Sequence, residues 1–292
     1  MQIRKLQKSK FPKSLLELPQ PPKELYIIGD LPDDPDLVYL TIVGSRKFTS
    51  YGKEVCEKLI AGLKGYPVVI VSGFAMGIDT IAHKKALQMG IKTIVFPGSG
   101  LSIEAMYPKS NISMMRAIVE SGGCLISEWE PGFKATLWSF AMRNRLMAGI
   151  SKAVLIIEAQ EKSGTLITAR MATEYNKDVL TVPGNIYSPN AKGTNRLLRM
   201  GATPITSPKE LLEALGFEKE EDSLEIKESK QQKLFEDLSK EEKKIIECLR
   251  EPVERDELVR KAGLPVYETN ALLSVLEIKG LIKEEYGEIR LY

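Results

Sequence analysis

Val68-Val-Ile-Val-Ser-Gly-Phe-Ala-Met-Gly-Ile-Asp-Thr-Ile-Ala-His83, continuing to Met89, is the stretch that decides the fold class. Its first four residues are all β-branched, as a fully buried strand prefers. Glycines then punctuate Ser72–Gly77, and Asp79–Met89 reads as a helix. The same grammar recurs along the middle of the chain. Apolar runs at Tyr39–Val43, Thr93–Phe96, Cys124–Ile126, Val154–Ile157 and Val179–Val182 end in glycine or small polar residues. Helical stretches at Gly52–Leu63 and Leu166–Tyr175 lie between them. Strands alternating with helices predict an α/β, Rossmann-like parallel sheet with helices on both faces. Ligands of such sheets bind outside the carboxyl ends of the strands. That rule sets Gly44-Ser-Arg46, Ser72–Gly77, Pro97-Gly-Ser-Gly100 and Pro183-Gly-Asn185 along one rim.

The rim offers phosphate-binding groups and little acid–base chemistry. Between Lys134 and Asn195 stand Phe140-Ala-Met-Arg-Asn-Arg145, Lys162-Ser-Gly-Thr165, Arg170, Pro183-Gly-Asn185 and Lys192-Gly-Thr-Asn195. Guanidinium forks match phosphate oxygens in two-point geometry, which favours Arg46, Arg143 and Arg145. Arg143 and Arg145 diverge by about 200° if the segment is helical and share a face if it is extended. Lys134 and Lys192 are expected in Gly/Pro-flanked loops, suited to non-specific backbone contacts. Phe140 is expected to be exposed for base stacking and Trp138 to be core, with Phe133 nearby. Ser163, Gly164 and Thr165 read either as phosphate ligands or as an ordinary helix cap. Neither G-x-G-x-x-G nor G-x-x-x-x-G-K-[ST] occurs.

Other chemistries find little support. His83 is the one histidine, and Asp79 and His83 at i and i+4 suggest a helix-stabilising pair. Glu104, Glu128, Glu130 and Glu158 are scattered, without the tight acidic cluster of a two-metal nuclease. No catalytic residue, metal or cofactor is expected. From Thr41 to Thr206 there are 20 lysines and arginines against 11 aspartates and glutamates, although the whole chain of 292 residues carries only +2. The basic charge is thus concentrated on the predicted sheet domain, as a polyanion binder requires. No apolar run spans a bilayer, so no membrane insertion is expected. Cys56, Cys124 and Cys248 are too few and too far apart for a disulfide framework, which implies a reduced, cytoplasmic protein.

The last part of the chain reads as a separate module. Phe217–Asp237 is rich in Glu, Lys and Gln and suits a linker. Ser239 and Glu242 form a capping box before Ile245, Ile246 and Leu249. Further helices are predicted near Arg255–Ala262 and Val266–Lys279, each stopped by glycine, then a hairpin of Leu281–Glu285 and Glu288–Leu291. Three helices and a hairpin make a small C-terminal winged-helix domain. Its third helix holds Glu268 and Glu277 with Lys279, a poor major-groove reader, so a protein-contact or regulatory role is expected.

Ile42-Val-Gly-Ser-Arg46, Val71-Ser-Gly-Phe-Ala-Met-Gly-Ile-Asp79 with Ala82-His83, and Ser163-Gly-Thr-Leu-Ile-Thr-Ala-Arg170 resemble the bacterial DNA-processing protein A family (DprA, also called Smf). Arg143-Asn-Arg145, Val182-Pro-Gly-Asn185 and Lys192-Gly-Thr-Asn195 extend the match in the same order, over roughly Leu15 to Pro208. The resemblance implies a Rossmann-like core that binds single-stranded DNA without cutting it, forms a homodimer, and delivers the strand to the RecA recombinase in natural transformation. Phe140-Ala141 departs from the Phe-Pro that often precedes the Arg-Asn-Arg triplet, and only about forty residues stand before the first glycine loop, where many members carry a helical N-terminal domain. The expected layout is a packing extension at 1–38, the DNA-binding domain at 39–216, a linker at 217–238 and the winged helix at 239–292. Gly44, Ser45, Arg46, Gly73, Lys134, Phe140, Arg143, Asn144, Arg145, Ser163, Gly164, Thr165, Arg170, Asn185 and Lys192 are the expected single-strand contacts. The alternative is a nucleoside monophosphate phosphoribohydrolase-type enzyme, suggested by Pro97-Gly-Ser-Gly100 and Glu104.

Overall fold

The computed structural model describes residues 1–217, 238–249, 252–279, 281–285 and 288–291. Most of the expected linker, 218–237, lies outside the described residues. The chain divides into two compact units, Met1–Glu218 and Lys219–Tyr292.

The first unit opens with strand β1 (Arg4–Lys5), the single turn α1 (Lys13–Leu16) and β2 (Tyr26–Gly29). Then come β3 (Val38–Val43), α2 (Ser50–Ala61), β4 (Val68–Ser72), α3 (Ile78–Met89), β5 (Thr93–Val95), α4 (Ile112–Glu120) and β6 (Cys124–Ser127). The unit closes with α5 (Leu137–Ile150), β7 (Ala153–Ile156), α6 (Thr165–Glu174), β8 (Asp178–Thr181), α7 (Lys192–Arg199), β9 (Thr203–Pro204) and α8 (Pro208–Ala214). All the strands form one sheet in the order β1-β2-β6-β5-β4-β3-β7-β8-β9. From β6 to β9 neighbours are parallel, whereas β2 pairs antiparallel with β6 and β1 with β2. The N-terminal segment therefore does more than pack on the core: it adds two antiparallel strands to the sheet edge.

Both faces are covered, and β4 shows why its apolar run is continuous. Val69 and Val71 pack with α5 and α6 residues such as Leu146 and Ala169, while Val68 and Ile70 pack with Leu59 and Ile60 of α2 and Ile81 of α3. Alternate side chains point to opposite faces, so a strand buried on both must be apolar throughout.

The second unit contains α9 (Lys240–Cys248), β10 (Val253–Glu254), α10 (Arg255–Ala262), α11 (Val266–Ile278), β11 (Ile282–Glu285) and β12 (Glu288–Leu291). The strands make a sheet in the order β10-β12-β11, the arrangement of a winged helix. The capping box forms: the Ser239 N–H donates to Glu242 Oε2 at 2.8 Å, and the Glu242 N–H donates to Ser239 Oγ at 3.1 Å. Glu242 also accepts from Lys279 Nζ at 2.6 Å. Among the described residues, no helix is long and apolar enough to cross a membrane.

Candidate nucleic-acid interface

From β3 the chain adds β4, β5 and β6 in one direction, then returns to place β7, β8 and β9 on the other side of β3. The loops leaving β3 and β7 therefore diverge, and their parting opens a crevice at the carboxyl edge of the sheet. A cleft of about 430 Å³ lies there, with Gly44–Lys47 on one wall, Gln160 and Ser163–Thr165 on the other, and Phe140, Arg143 and Asn144 of α5 beside them.

The walls are rigid because backbone meets backbone closely. A Cβ on Gly44 would lie 2.6 Å from Ile78 Cγ1. Gly77, at φ +91°, brings the start of α3 against Ser45, whose carbonyl accepts from the Ile78 N–H at 3.2 Å. Only glycine combines that φ with so close an approach. Thr165 Oγ1 donates to the Gly44 carbonyl at 3.2 Å and Asn190 Nδ2 to the Lys47 carbonyl at 2.6 Å. The loop main chain is thus held from both sides, while the Arg46 and Lys47 side chains remain exposed.

Phe140 is placed differently from the expectation. It is half-buried, its ring filling the space a Cβ on Gly98 would need and meeting Tyr107 edge-on at 6.3 Å. Above it lies the Arg46 guanidinium at 5.3 Å from the ring centroid, with that of Arg143 at 6.0 Å. The ring is a support for two cations more than an open platform. Trp138, expected to be core, is 53% exposed and stands edge-on to Trp129 at 5.0 Å. Helical phase explains the exchange: two residues apart on α5, the two rings cannot share a face, and Phe140 takes the inner one.

The same phase separates the two arginines of α5. Arg143 faces the cleft, nearly buried, donating to the Phe96 carbonyl and, at 3.1 Å, to Asn144 Oδ1. Arg145 points away from the cleft into a buried ion pair with Glu128. Gly73 lies behind Arg143, in contact range of both Arg143 and Asp79, and lines no part of the cleft. Lys134 is exposed in the loop before α5 and borders an adjoining groove that shares Arg46, Leu137 and Phe140 with the cleft. Arg170 is elsewhere, on the outer part of α6 beside Glu174 at 3.5 Å. Asn185 lines a separate groove near the start of α2. Lys192 begins α7 and does not occupy a loop. Pro97–Gly100 lines none of the cleft, because Phe140 and the Glu130–Pro131 backbone fill the space beside its glycines. Glu104 is exposed on the groove bearing Lys134.

Lys47, Gln160 and Asp79 line the cleft without having been expected there. For Lys47 and Gln160 the signal was position alone: both follow the two strands that flank the switch point. Asp79 was read as the helical partner of His83, but His83 instead bonds Thr93 Oγ1 at 2.7 Å and the Gly73 carbonyl at 2.6 Å. Burial pushes Asp79 up to about 6 against the pull of Arg143, the Ala75 N–H and Arg46. Burial likewise lowers His83 to about 4, so it is neutral near pH 6. Among the described residues, no group of three or more His, Cys, Asp and Glu is placed to hold a metal ion.

The charge of the cleft is consequently pH-dependent. As pH falls through about 6, Asp79 takes a proton and one negative charge leaves the neighbourhood of Arg143 and Arg46. Affinity for a phosphate polyanion should rise from about pH 7 to about pH 5.5, and Asp79→Asn should flatten that rise. Anisotropy titrations with an oligonucleotide check this, and an equal pH response in the variant would exclude Asp79 as its source. In stability the two buried groups oppose one another. The raised Asp79 contributes stability at low pH that is lost as pH rises through about 6, whereas the lowered His83 contributes stability above 6.5 that is lost as pH falls toward about 4.

The model of the family described as DNA recombination-mediator protein A matches residues 2–216, the unit that carries this cleft. The chain belongs to that family. Residues 229–288 match the DprA winged helix domain. Protein Smf of Synechocystis is 33% identical over 312 residues, covering 95% of this chain and 76% of the relative. DNA processing protein DprA of Streptococcus pneumoniae is 37% identical over 207 residues, 71% of this chain and 72% of its own. A solved structure concerned with the single-stranded DNA binding mode of DNA processing protein A from Helicobacter pylori superposes with a TM-score of 0.66 at 34% identity, covering 73% of this chain and 95% of the other. Family membership and fold agree with the resemblance carried by the glycine loops.

Proposed function

We propose that this chain is a non-catalytic, cytoplasmic single-stranded DNA-binding mediator that shields incoming strands and passes them, as a homodimer, to the RecA recombinase during natural transformation and recombination. The observation that carries the binding part is the switch-point cleft. An exposed Arg46, resting on Phe140, and Lys47 flank a slot whose far wall is the Ser163–Thr165 turn at the start of α6. Exposed cations beside a helix N-terminus suit phosphates, and a cleft of about 430 Å³ takes the backbone and unpaired bases of a few nucleotides rather than a duplex. Homology to a protein studied for single-stranded DNA binding supports the same reading.

Mobility shifts with matched single-stranded and blunt duplex DNA test it. The single strand should bind more tightly, with a log–log salt slope of roughly −0.7 per phosphate neutralised. Equal affinity at matched salt would refute the reading. Residues 1–216 alone should retain most of this binding, and the winged helix should bind weakly. Lys279, at the end of α11, is engaged by Glu242 at 2.6 Å, and Arg255 by Glu284 at 2.8 Å. Titrating both fragments against one oligonucleotide decides the matter, and tight binding by the winged helix would reverse the assignment.

A further inference from the structure

A second groove opens along the carboxyl edge of the sheet, walled by Thr49 and Tyr51 on one side and by Pro183, Asn185 and Ser188 on the other. Its first wall is built on Glu158, which is buried and accepts from the Thr49 N–H at 3.0 Å and the Thr49 hydroxyl at 2.5 Å. Thr49 Oγ1 in turn accepts from the Gly52 N–H at 3.1 Å, capping α2. Tyr51 is thereby presented in the first turn of that helix, half exposed, with its hydroxyl donating to the Pro183 carbonyl at 2.8 Å. Between Asn185 and Ser188 of the second wall, Tyr187 is 86% exposed beside the groove, on a turn closed by its N–H bonding Asn185 Oδ1 at 2.9 Å. Asn195 clasps that segment, donating to the Gly184 carbonyl at 3.0 Å.

One short loop joins this groove to the cleft. Arg46 and Lys47 line the cleft, Thr49 lines the groove, and exposed Phe48 lies between them. A ring fixed by its own hydroxyl loses little freedom when a base settles on it, and an aromatic face accepts any base. We infer that a single DNA strand leaving the cleft passes over Lys47 and Phe48 into this groove, stacking one base on Tyr51 and another on Tyr187. The inference rests on the reading of the cleft as a single-strand site.

The test compares the full chain with Tyr51→Ala, Tyr51→Phe, Tyr187→Ala and Arg46→Ala, using oligothymidylates of about 5 and about 15 nucleotides, lengths near the two ends of typical single-strand site sizes. Each alanine variant of the tyrosines should bind the longer strand about tenfold more weakly and the shorter one unchanged, as expected for one lost stack. Tyr51→Phe keeps the ring but loses the hydroxyl that fixes it, and should bind the longer strand between parent and Tyr51→Ala. Unchanged long-strand binding by both alanine variants overturns the inference and leaves the cleft untouched. So does an equal loss for both lengths, which would mean that the cleft loop itself had shifted. Arg46→Ala binding both lengths like the parent sinks the cleft reading instead, so the two failures are told apart.

Discussion

Replacing Glu128 with leucine should lower the unfolding free energy by about 3–5 kcal/mol, the cost of leaving a buried charge without its partner. The two side chains of the Glu128–Arg145 pair are 10% and 6% exposed. Arg145 Nε and Nη1 and Glu128 Oε1 have no other partner among the described residues. Burial holds the Glu128 carboxyl above the usual carboxylate range, against the opposing pull of Arg145. Ionising it is therefore a cost at neutral pH that shrinks as pH falls through its raised value, so the pair is not a source of great stability in itself. The asymmetry gives a sharp test. Glu128→Leu combined with Arg145→Met should recover most of the single variant's loss, because an apolar pair of similar volume needs no counter-ion. Urea unfolding of the single and double variants measures both. A single-variant loss below about 1 kcal/mol would show the site to be wetter than its packing indicates.

Arg46→Ala should weaken single-strand binding by about 1.5–3 kcal/mol while leaving the unfolding midpoint unchanged, the scale for a hydrogen bond to a charged group. Arg46 is exposed, and no carboxylate lies within ion-pair distance of it among the described residues, so its removal orphans no buried group. Its guanidinium is steadied over Phe140 at 5.3 Å, which reduces the entropy lost on gripping a phosphate. Phe140→Ala should therefore also weaken binding, and unlike Arg46→Ala it should cost stability, since its ring packs on Gly98. Arg46→Lys keeps the charge but not the fork and should fall between parent and alanine. An Arg46→Ala variant that binds normally, or that unfolds, would remove Arg46 from the interface.

The central strands were legible because both of their faces are buried, which makes their sequences largely apolar runs rich in Val, Ile and Leu; β3, β4 and β7 start and stop within a residue or two of the expected bounds. β1, β9 and β10, two residues each, were not legible. Pairing partners make such short strands, and their own side chains carry no periodic signal. The site was legible where it depends on backbone. Gly44, Ser45, Arg46, Ser163, Gly164 and Thr165, taken from two distant motifs, meet in one cleft because the sheet's strand order brings them there. What the sequence hid was the rotational phase of α5. Its residues are apolar, polar and cationic by turns, so nothing local says that Phe140 and Arg143 turn inward to the cleft while Trp138 faces solvent and Arg145 meets Glu128. Those choices were set by Gly98, Phe96 and Glu128, partners separated by up to 47 positions along the chain.

The hydrogen bond from Thr165 to the Gly44 carbonyl spans 121 positions. A ribosome that has delivered the chain through β6 has therefore made one bank of the cleft and nothing of the other. A nascent protein at that stage can already bury apolar surface on β3 to β6, yet it has no slot in which to hold a strand. If the cleft holds the strand as proposed, competence to grip DNA arrives late in synthesis, with β7 and the turn after it, and a truncated product should occupy far less DNA.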